Sequence, residues 1–264
     1  MREQSTQAVF ITGASSGLGA AMAREYAMRG ARLALLGRRA DALESLRASL
    51  ANPQLHQVYA VDVNDHHALH QAAQDFIQTV GKVHIVIACA GISVGTLTEL
   101  SEDLAVFRRV METNVLATVA SFAPFIEHMK QHAQQEPCRL VGIASVAGIR
   151  GLPGASAYSA SKAAVISYCE SLRVELRDSR IEVVTVAPGY IDTPMTQINT
   201  YAMPFLTPAD VFAQRAIATI DAGVSYRVIP WQMGVVAKLL RLLPNWLYDR
   251  AFSNAPRKAR QAQL

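Results

Sequence analysis

Cysteine is scarce in this chain, and its spacing excludes two classes of protein at once. Of 264 residues only 3 are cysteine, Cys89, Cys138 and Cys169. An odd count without CxxC spacing rules against a disulfide framework or a cysteine-held zinc ion, and leaves buried thiols as the expectation. Long apolar runs are missing too. None reaches the roughly eighteen residues that a membrane-spanning helix needs. The opening Met1-Arg2-Glu3-Gln4-Ser5 lacks the apolar centre of a secretory signal, so a cytoplasmic protein is expected. Charge of one sign is in small excess, +4 formally, much of it in the tail Arg257-Lys258-Ala259-Arg260. Binding of nucleic acid would need a basic face on a recognisable module, and none is found. His66, His67 and His70 stand together, but on a polar helical stretch far from any cysteine or carboxylate motif. They are expected in solvent, and no metal site is expected. Linkers, low-complexity segments and shifts of composition are also missing, so residues 1–264 read as one domain, with a core of about 8–230 and an extension over 231–264.

What the chain does have is apolar material, 51% of its residues, distributed in short runs such as Leu35-Leu36, Val83 to Ala88 and Val183 to Ala187. Runs of this length suit parallel strands covered on both faces. They alternate with helical patterns, which points to a doubly wound α/β fold around a parallel sheet.

Read in order, Ala8 to Thr12 forms a strand. The turn Gly13-Ala14-Ser15-Ser16-Gly17-Leu18-Gly19 follows directly and opens a helix over Ala20 to Arg29. Glycines there permit a tight turn and a close approach of backbone N–H groups to a pyrophosphate, while the helix N-terminus adds a favourable dipole. The spacing of Gly13, Gly17 and Gly19 differs from GxGxxG; strand before and helix after carry the dinucleotide reading. A second strand, Arg32 to Leu36, ends in Gly37-Arg38-Arg39. An acidic residue at this point would select NAD, whereas arginine accommodates a 2′-phosphate. Arg38, with Arg39 beside it and Ser15 in the glycine loop, therefore points to NADP(H). After a third strand, Gln57 to Val61, Asp62-Val63 either meets the adenine or caps the helix that starts near His66.

The fourth strand, Val83 to Ala88, ends in Cys89-Ala90-Gly91, and the next helix contains Asn114. Asparagine is a poor residue inside a helix; a kink, a bound water or end-capping would account for it. A fifth strand, Leu140 to Ala144, delivers Ser145 to its C-terminal end, where open α/β sheets bind ligands. In the helix from Ala157 to Leu176, Tyr158 and Lys162 share a face. A phenol beside an ammonium is expected to have a lowered pKa and can pass a proton to or from a substrate oxygen, which Ser145 can hold by a hydrogen bond. A sixth strand, Ile181 to Ala187, leads into Pro188-Gly189-Tyr190-Ile191-Asp192-Thr193-Pro194. The unusual residues thus gather on one edge of one sheet.

These motifs in this order, Thr12-Gly13-xxx-Gly17-x-Gly19, Ala90-Gly91, Asn114, Ser145, Tyr158-xxx-Lys162 and Pro188-Gly189, strongly resemble the classical short-chain dehydrogenase/reductase family over roughly residues 8 to 230. The resemblance implies a single-domain Rossmann-type sheet of seven parallel strands. It further implies a catalytic tetrad of Asn114, Ser145, Tyr158 and Lys162, with Tyr158 as general acid in carbonyl reduction and general base in alcohol oxidation. Lys162 would hold the nicotinamide ribose and depress the tyrosine pKa, Ser145 would orient the substrate oxygen, and Asn114 would keep a water in the proton relay. The Ile191 backbone and the Thr193 hydroxyl would meet the carboxamide of the nicotinamide. Family members usually carry Asn-Asn-Ala-Gly where this chain has Ala88-Cys89-Ala90-Gly91, so an amide that ties neighbouring strands is absent. With a hydrogen bond worth about 1 kcal/mol net, reduced local stiffness is expected, and Cys89 is read as structural.

Substrate choice is expected in the loops Ile149 to Ser156 and Met195 to Leu206. The second holds Met195, Ile198, Tyr201, Met203 and Phe205, which suit either an apolar pocket or a packed flap. Farther on, Val235, Val236, Leu239, Leu240, Leu242 and Leu243 lie on one side of an amphipathic helix, with Lys238 and Arg241 on the other and Trp231, Trp246 and Tyr248 flanking. Packing on the domain or on a partner subunit is expected ahead of peripheral membrane contact through 231–252. The reading is an NADP(H)-dependent oxidoreductase, a homo-oligomer, that interconverts a carbonyl and a secondary alcohol on a small, fairly apolar, lipid- or steroid-like substrate. Its competitors are an NAD-dependent dehydrogenase of the same fold and a non-catalytic dinucleotide sensor. Both directions use the same residues.

Overall fold

The computed structural model describes residues 7–255, 257, 258 and 260. The chain alternates strand and helix: β1 (Ala8–Thr12), α1 (Gly17–Met28), β2 (Arg32–Gly37), α2 (Ala40–Ser49), β3 (Gln57–Ala60), α3 (His66–Val80), β4 (Ile85–Ala88), α4 (Asp103–Met111), α5 (Ala117–Lys130), β5 (Cys138–Ile143), α6 (Ser156–Glu175) and β6 (Ile181–Pro188). A short pair, β7 (Ile191–Asp192) and β8 (Thr207–Pro208), brackets the small helix α7 (Pro194–Gln197), and then come α8 (Ala209–Asp221), β9 (Tyr226–Ile229), α9 (Trp231–Leu242) and α10 (Asn245–Phe252). Seven strands form one sheet in the order β3-β2-β1-β4-β5-β6-β9, every neighbouring pair parallel.

Because side chains alternate across a strand, β1 sends Phe10 to one face and Val9 and Ile11 to the other. Phe10 packs with Phe76 and Phe125 in a cluster that also holds Phe122 and Leu140, while Val9 and Ile11 belong to a second cluster with Met22, Tyr26, Phe212 and Ile217. Each such side chain contributes about 1.5–3 kcal/mol by leaving water, so the two layers of helices hold the sheet from both sides. Helix α1 shows how. Gly19, Ala20, Met22, Ala23, Tyr26 and Ala27 recur at helical spacing and are all buried, and the helix ends ahead of Gly30, whose φ of 81° reverses the chain.

After β1 the chain builds outwards through β2 and β3, then returns to lay β4 on the other flank of β1. The order reverses there, and a crevice opens at the C-terminal ends of the strands. Helix α3 is capped by Asp65, whose Oδ1 accepts from the Ala68 N–H at 3.0 Å. Asp62 is therefore not the cap and stays at the end of β3. Edge strand β9 is too short and too exposed on its outer half to stand out in the sequence.

Helix α9 packs on the domain through Met233, Gly234 and Ala237, since any side chain at Gly234 would press on Val228. Of the apolar residues read from the sequence as one side of this helix, Val235, Val236, Leu239 and Leu242 are exposed and Leu240 and Leu243 half-buried, while Trp231 and Trp246 are exposed as well. Arg150 fastens the extension. Its guanidinium donates to the Arg241 and Leu243 carbonyls and to Asn245 Oδ1, and lies 4.3 Å over the Tyr248 ring. Among the described residues no helix is long and apolar enough to cross a membrane.

Candidate active site

The crevice at the reversal point is a cleft of about 640 Å³. The glycine loop forms its floor. Gly13 has a φ of 70°, and a Cβ there would lie 2.8 Å from the Ala90 backbone; a Cβ at Gly19 would collide with the Gly13 carbonyl. Backbone thus occupies the space where side chains would be. Ser16 precedes α1 but makes no side-chain cap, which leaves the N–H groups of the first turn open to an anion. These features fit the pyrophosphate of a dinucleotide. Thr12 Oγ1 accepts from the N–H groups of Cys89 and Ala90 at 3.1 and 3.2 Å, so the ends of β1 and β4 are tied even without the usual asparagine amide. Burial pushes the Cys89 thiol up to about 12, which keeps it protonated and unreactive at neutral pH.

At the rim, Arg39 Nη2 donates to the carbonyl and the hydroxyl of Ser15, both at 3.2 Å. Arg38 is 71% exposed, with its guanidinium 3.9 Å from Asp62 Oδ2. Asp62, Val63, Pro188, Gly189, Ile191 and Thr193 line the same cleft, as do Ser15, Ser16, Gly17, Leu18, Ala90 and Gly91. Thr193 caps α7 in a reciprocal arrangement with Thr196, whose hydroxyl also donates to the Ile191 carbonyl at 2.6 Å.

Ser145, Tyr158 and Lys162 close the inner end. Ser145 is buried just beyond β5, and its Oγ accepts from the Ala147 N–H at 3.2 Å. Tyr158 lies in the first turn of α6 and Lys162 one turn later, its Nζ 5.8 Å from the phenol ring centroid. Lys162 Nζ donates to the Ile143 carbonyl at 2.8 Å. Burial lowers its pKa to about 8, since an ammonium without a carboxylate partner is costly to desolvate. The same burial raises the Tyr158 pKa, and the neighbouring Ser145 hydroxyl opposes part of that rise. The lowered phenol pKa read from the Tyr158–Lys162 spacing is therefore corrected: in the protein alone, removal from water sets the direction, and it is upward.

Asn114 does not line the cleft. A π-helical turn over Glu112–Leu116 joins α4 to α5, and there the Asn114 amide is bonded through both its oxygen and its nitrogen. Its Oδ1 accepts from the Ile92 N–H at 2.8 Å, and its Nδ2 donates to the Ile92 carbonyl and to Ser161 Oγ at 3.0 and 2.9 Å. The helix is distorted at Asn114, as one of the explanations open from the sequence has it. Ser161 in turn donates to the Tyr158 carbonyl at 2.8 Å, so Asn114 braces the turn that carries the phenol.

The sequence reading missed Asn64, Arg109, Thr113, Ile92 and Val94, which also line the cleft. Asn64 Nδ2 donates to Thr113 Oγ1 at 3.1 Å, a contact between distant segments that no local pattern announces. Of the apolar residues in the loop after β7, Met195, Ile198 and Phe205 are all exposed, and of these Met195 lines the cleft. His66, His67 and His70 are exposed, and no metal-holding cluster exists among the described residues.

Residues 7–202 match the sequence model described as short chain dehydrogenase. A Myxococcus xanthus protein called "Uncharacterized oxidoreductase" is 35% identical over 256 residues, covering 95% of this chain and 98% of the relative. A Bos taurus protein named "Dehydrogenase/reductase SDR family member 7B" is 35% identical over 97% of this chain and 83% of its own length. Among solved structures, a 3-ketoacyl-(acyl-carrier-protein) reductase from Brucella melitensis complexed with NADH superposes with a TM-score of 0.78 at 25% identity, covering 84% of this chain and 96% of that one.

Proposed function

The chain belongs to the short-chain dehydrogenase family and is an oxidoreductase, and from that premise we propose that it interconverts a carbonyl and a secondary alcohol with NADP(H), on a small and fairly apolar substrate. One observation carries the reading: the open glycine loop, the Arg38–Arg39 rim and the Ser145–Tyr158–Lys162 group share a single cleft. When bound, the dinucleotide supplies or accepts the hydride. The chain's own residues handle the proton. A phenol whose pKa is raised by burial is protonated at neutral pH, the form needed to donate to a carbonyl oxygen. Ser145 fixes that oxygen at the phenol, and the Lys162 ammonium on the next turn stabilises the phenolate left behind. In alcohol oxidation the same groups run in reverse. Asn114 acts by bracing the Tyr158 turn. Ile92, Val94 and Met195 give the substrate end of the cleft its apolar character.

The absence of an acid at the end of β2, with Arg38 exposed and Arg39 tied to Ser15, supports NADP(H) over NAD(H). Titration with NADPH and with NADH, followed by nicotinamide fluorescence, tests this. NADPH is expected to bind at least about tenfold more tightly, the worth of one charge-assisted hydrogen bond, and Arg38→Asp is expected to remove the preference. Tighter NADH binding by the wild type contradicts the assignment. A second copy of the chain is the partner proposed for the exposed apolar face of α9 and α10.

A further inference from the structure

The far end of the chain returns to the active site. Arg260 runs parallel to Gly95 in a β-bridge. Its guanidinium grips Asp103 in a fork, Nε to Oδ2 and Nη2 to Oδ1, both at 2.9 Å, and reaches Glu102 Oε1 at 3.1 Å. Asp103 is buried, and its Oδ2 also accepts from the Leu97 N–H at 2.7 Å. The Arg257 side chain lies against Gly154, where a Cβ would have no room. The described tail residues therefore cross the loops that follow β4 and β5, on the side of the sheet where Ser145 and Tyr158 emerge.

Between these two anchors stands Lys258. Its Nζ donates to Ser93 Oγ at 2.7 Å and lies 5.9 Å from the centroid of the Tyr158 ring, close to the distance of Lys162 from the same ring. Lys162 is backed by a carbonyl inside the fold. Lys258 is half-buried beside the Tyr158 ring, and none of the ion pairs among the described residues includes it. Its removal from water lowers its pKa to about 8. A partly desolvated cation with spare donors and no acid paired with it among the described residues suits an anion from outside the chain.

We propose that Lys258 is a specificity-determining residue that receives a substrate oxyanion, a carboxylate or a phosphate, a few bonds from the reacting carbonyl, with the Arg260–Asp103 pair holding the tail in place. The substrate is then amphiphilic, with an apolar body and one anionic group. This rests on the oxidoreductase reading for the identity of the site, but its test does not depend on turnover.

Calorimetric titration of the full-length protein, alone and loaded with NADP, with octanoate, octyl phosphate and octanamide separates charge from apolar contact. At least one anion is expected to bind about tenfold or more tightly than the amide, and the tighter of the two identifies the oxyanion. Lys258→Met is expected to bring all three within about twofold of each other, while Lys258→Arg keeps the preference for the anion. Equal binding of anions and amide by the wild type, or an undiminished preference in Lys258→Met, overturns the proposal. If turnover of every carbonyl compound fails while this preference persists, the proposed carbonyl–alcohol interconversion falls and the anion site stands. Unaltered melting of Lys258→Met and Lys258→Arg is the check that the tail variants fold.

Discussion

Lys162 carries a charge that the fold does not neutralise. Its pKa is lowered from 10.5 to about 8 by burial, a penalty on the order of 3 kcal/mol against the folded state while the group stays charged. Between about pH 8 and 10.5 the unfolded chain binds more protons at this site than the folded one, so this contribution makes the protein more stable as pH rises through that window. Lys162→Met removes the penalty and keeps the volume. Its melting temperature at pH 7 is expected to exceed that of the wild type by several degrees, while turnover falls by about 10²-fold or more; a lower melting temperature would show that the ammonium stabilises the fold. At this scale the sequence was legible wherever chemistry repeats a local spacing, as for Tyr158 and Lys162. It was not legible where burial decides, because the four-residue spacing says nothing of how dry the site is, and the phenol pKa consequently moves up where the spacing alone implied down. Asp62 and Asp65 show the same limit: both suit a helix cap, and three residues of register decide which becomes one.

At the scale of elements, the π turn over Glu112–Leu116 is the feature that local propensity could only hint at. Asn114 is wholly buried and joins three segments, its own turn, the Ile92 loop and α6 through Ser161. Asn114→Ala strands the Ile92 N–H and the Ile92 carbonyl, each at a cost of roughly 1 kcal/mol or more, and takes from Ser161 Oγ the donor it accepts from, while its own bond to the Tyr158 carbonyl remains. A fall in melting temperature of about 5–10 °C is expected, together with reduced turnover and little change in dinucleotide binding, since Asn114 does not line the cleft. Unchanged stability would mean that water replaces the amide at no cost. The strands were readable because buried parallel strands are continuous apolar runs. Edge strand β9 was not, being only partly covered, and for α9 the spacing gave the amphipathic helix but not which stripe meets the domain, which is Met233, Gly234 and Ala237.

For the whole molecule, that outward face is the consequence to test. Val235, Leu239, Leu242 and Trp246 make an exposed apolar surface of the kind that marks interaction sites. Sedimentation is expected to find a dimer or larger species for the wild type and a monomer for Leu239→Glu/Leu242→Glu; a monomeric wild type that floats with liposomes would assign the face to a membrane instead. The long-range contacts around the site were only partly readable, because Arg260 and Lys258, which reach Asp103 and the Tyr158 ring, lie far along the chain from them and carry no motif. The account as a whole turns on Tyr158 as the proton donor beside a bound dinucleotide. The most direct measurement is NADPH consumption over a panel of ketosteroids, 3-oxoacyl esters, long-chain ketones, aldehydes and quinones, by wild type and Tyr158→Phe, with NADPH affinity measured on the same preparations. The account predicts turnover of at least one class by the wild type, a loss of about 10²–10⁴-fold in Tyr158→Phe, and equal NADPH binding by both; a phenylalanine variant that turns over within a few-fold of the wild type would contradict it.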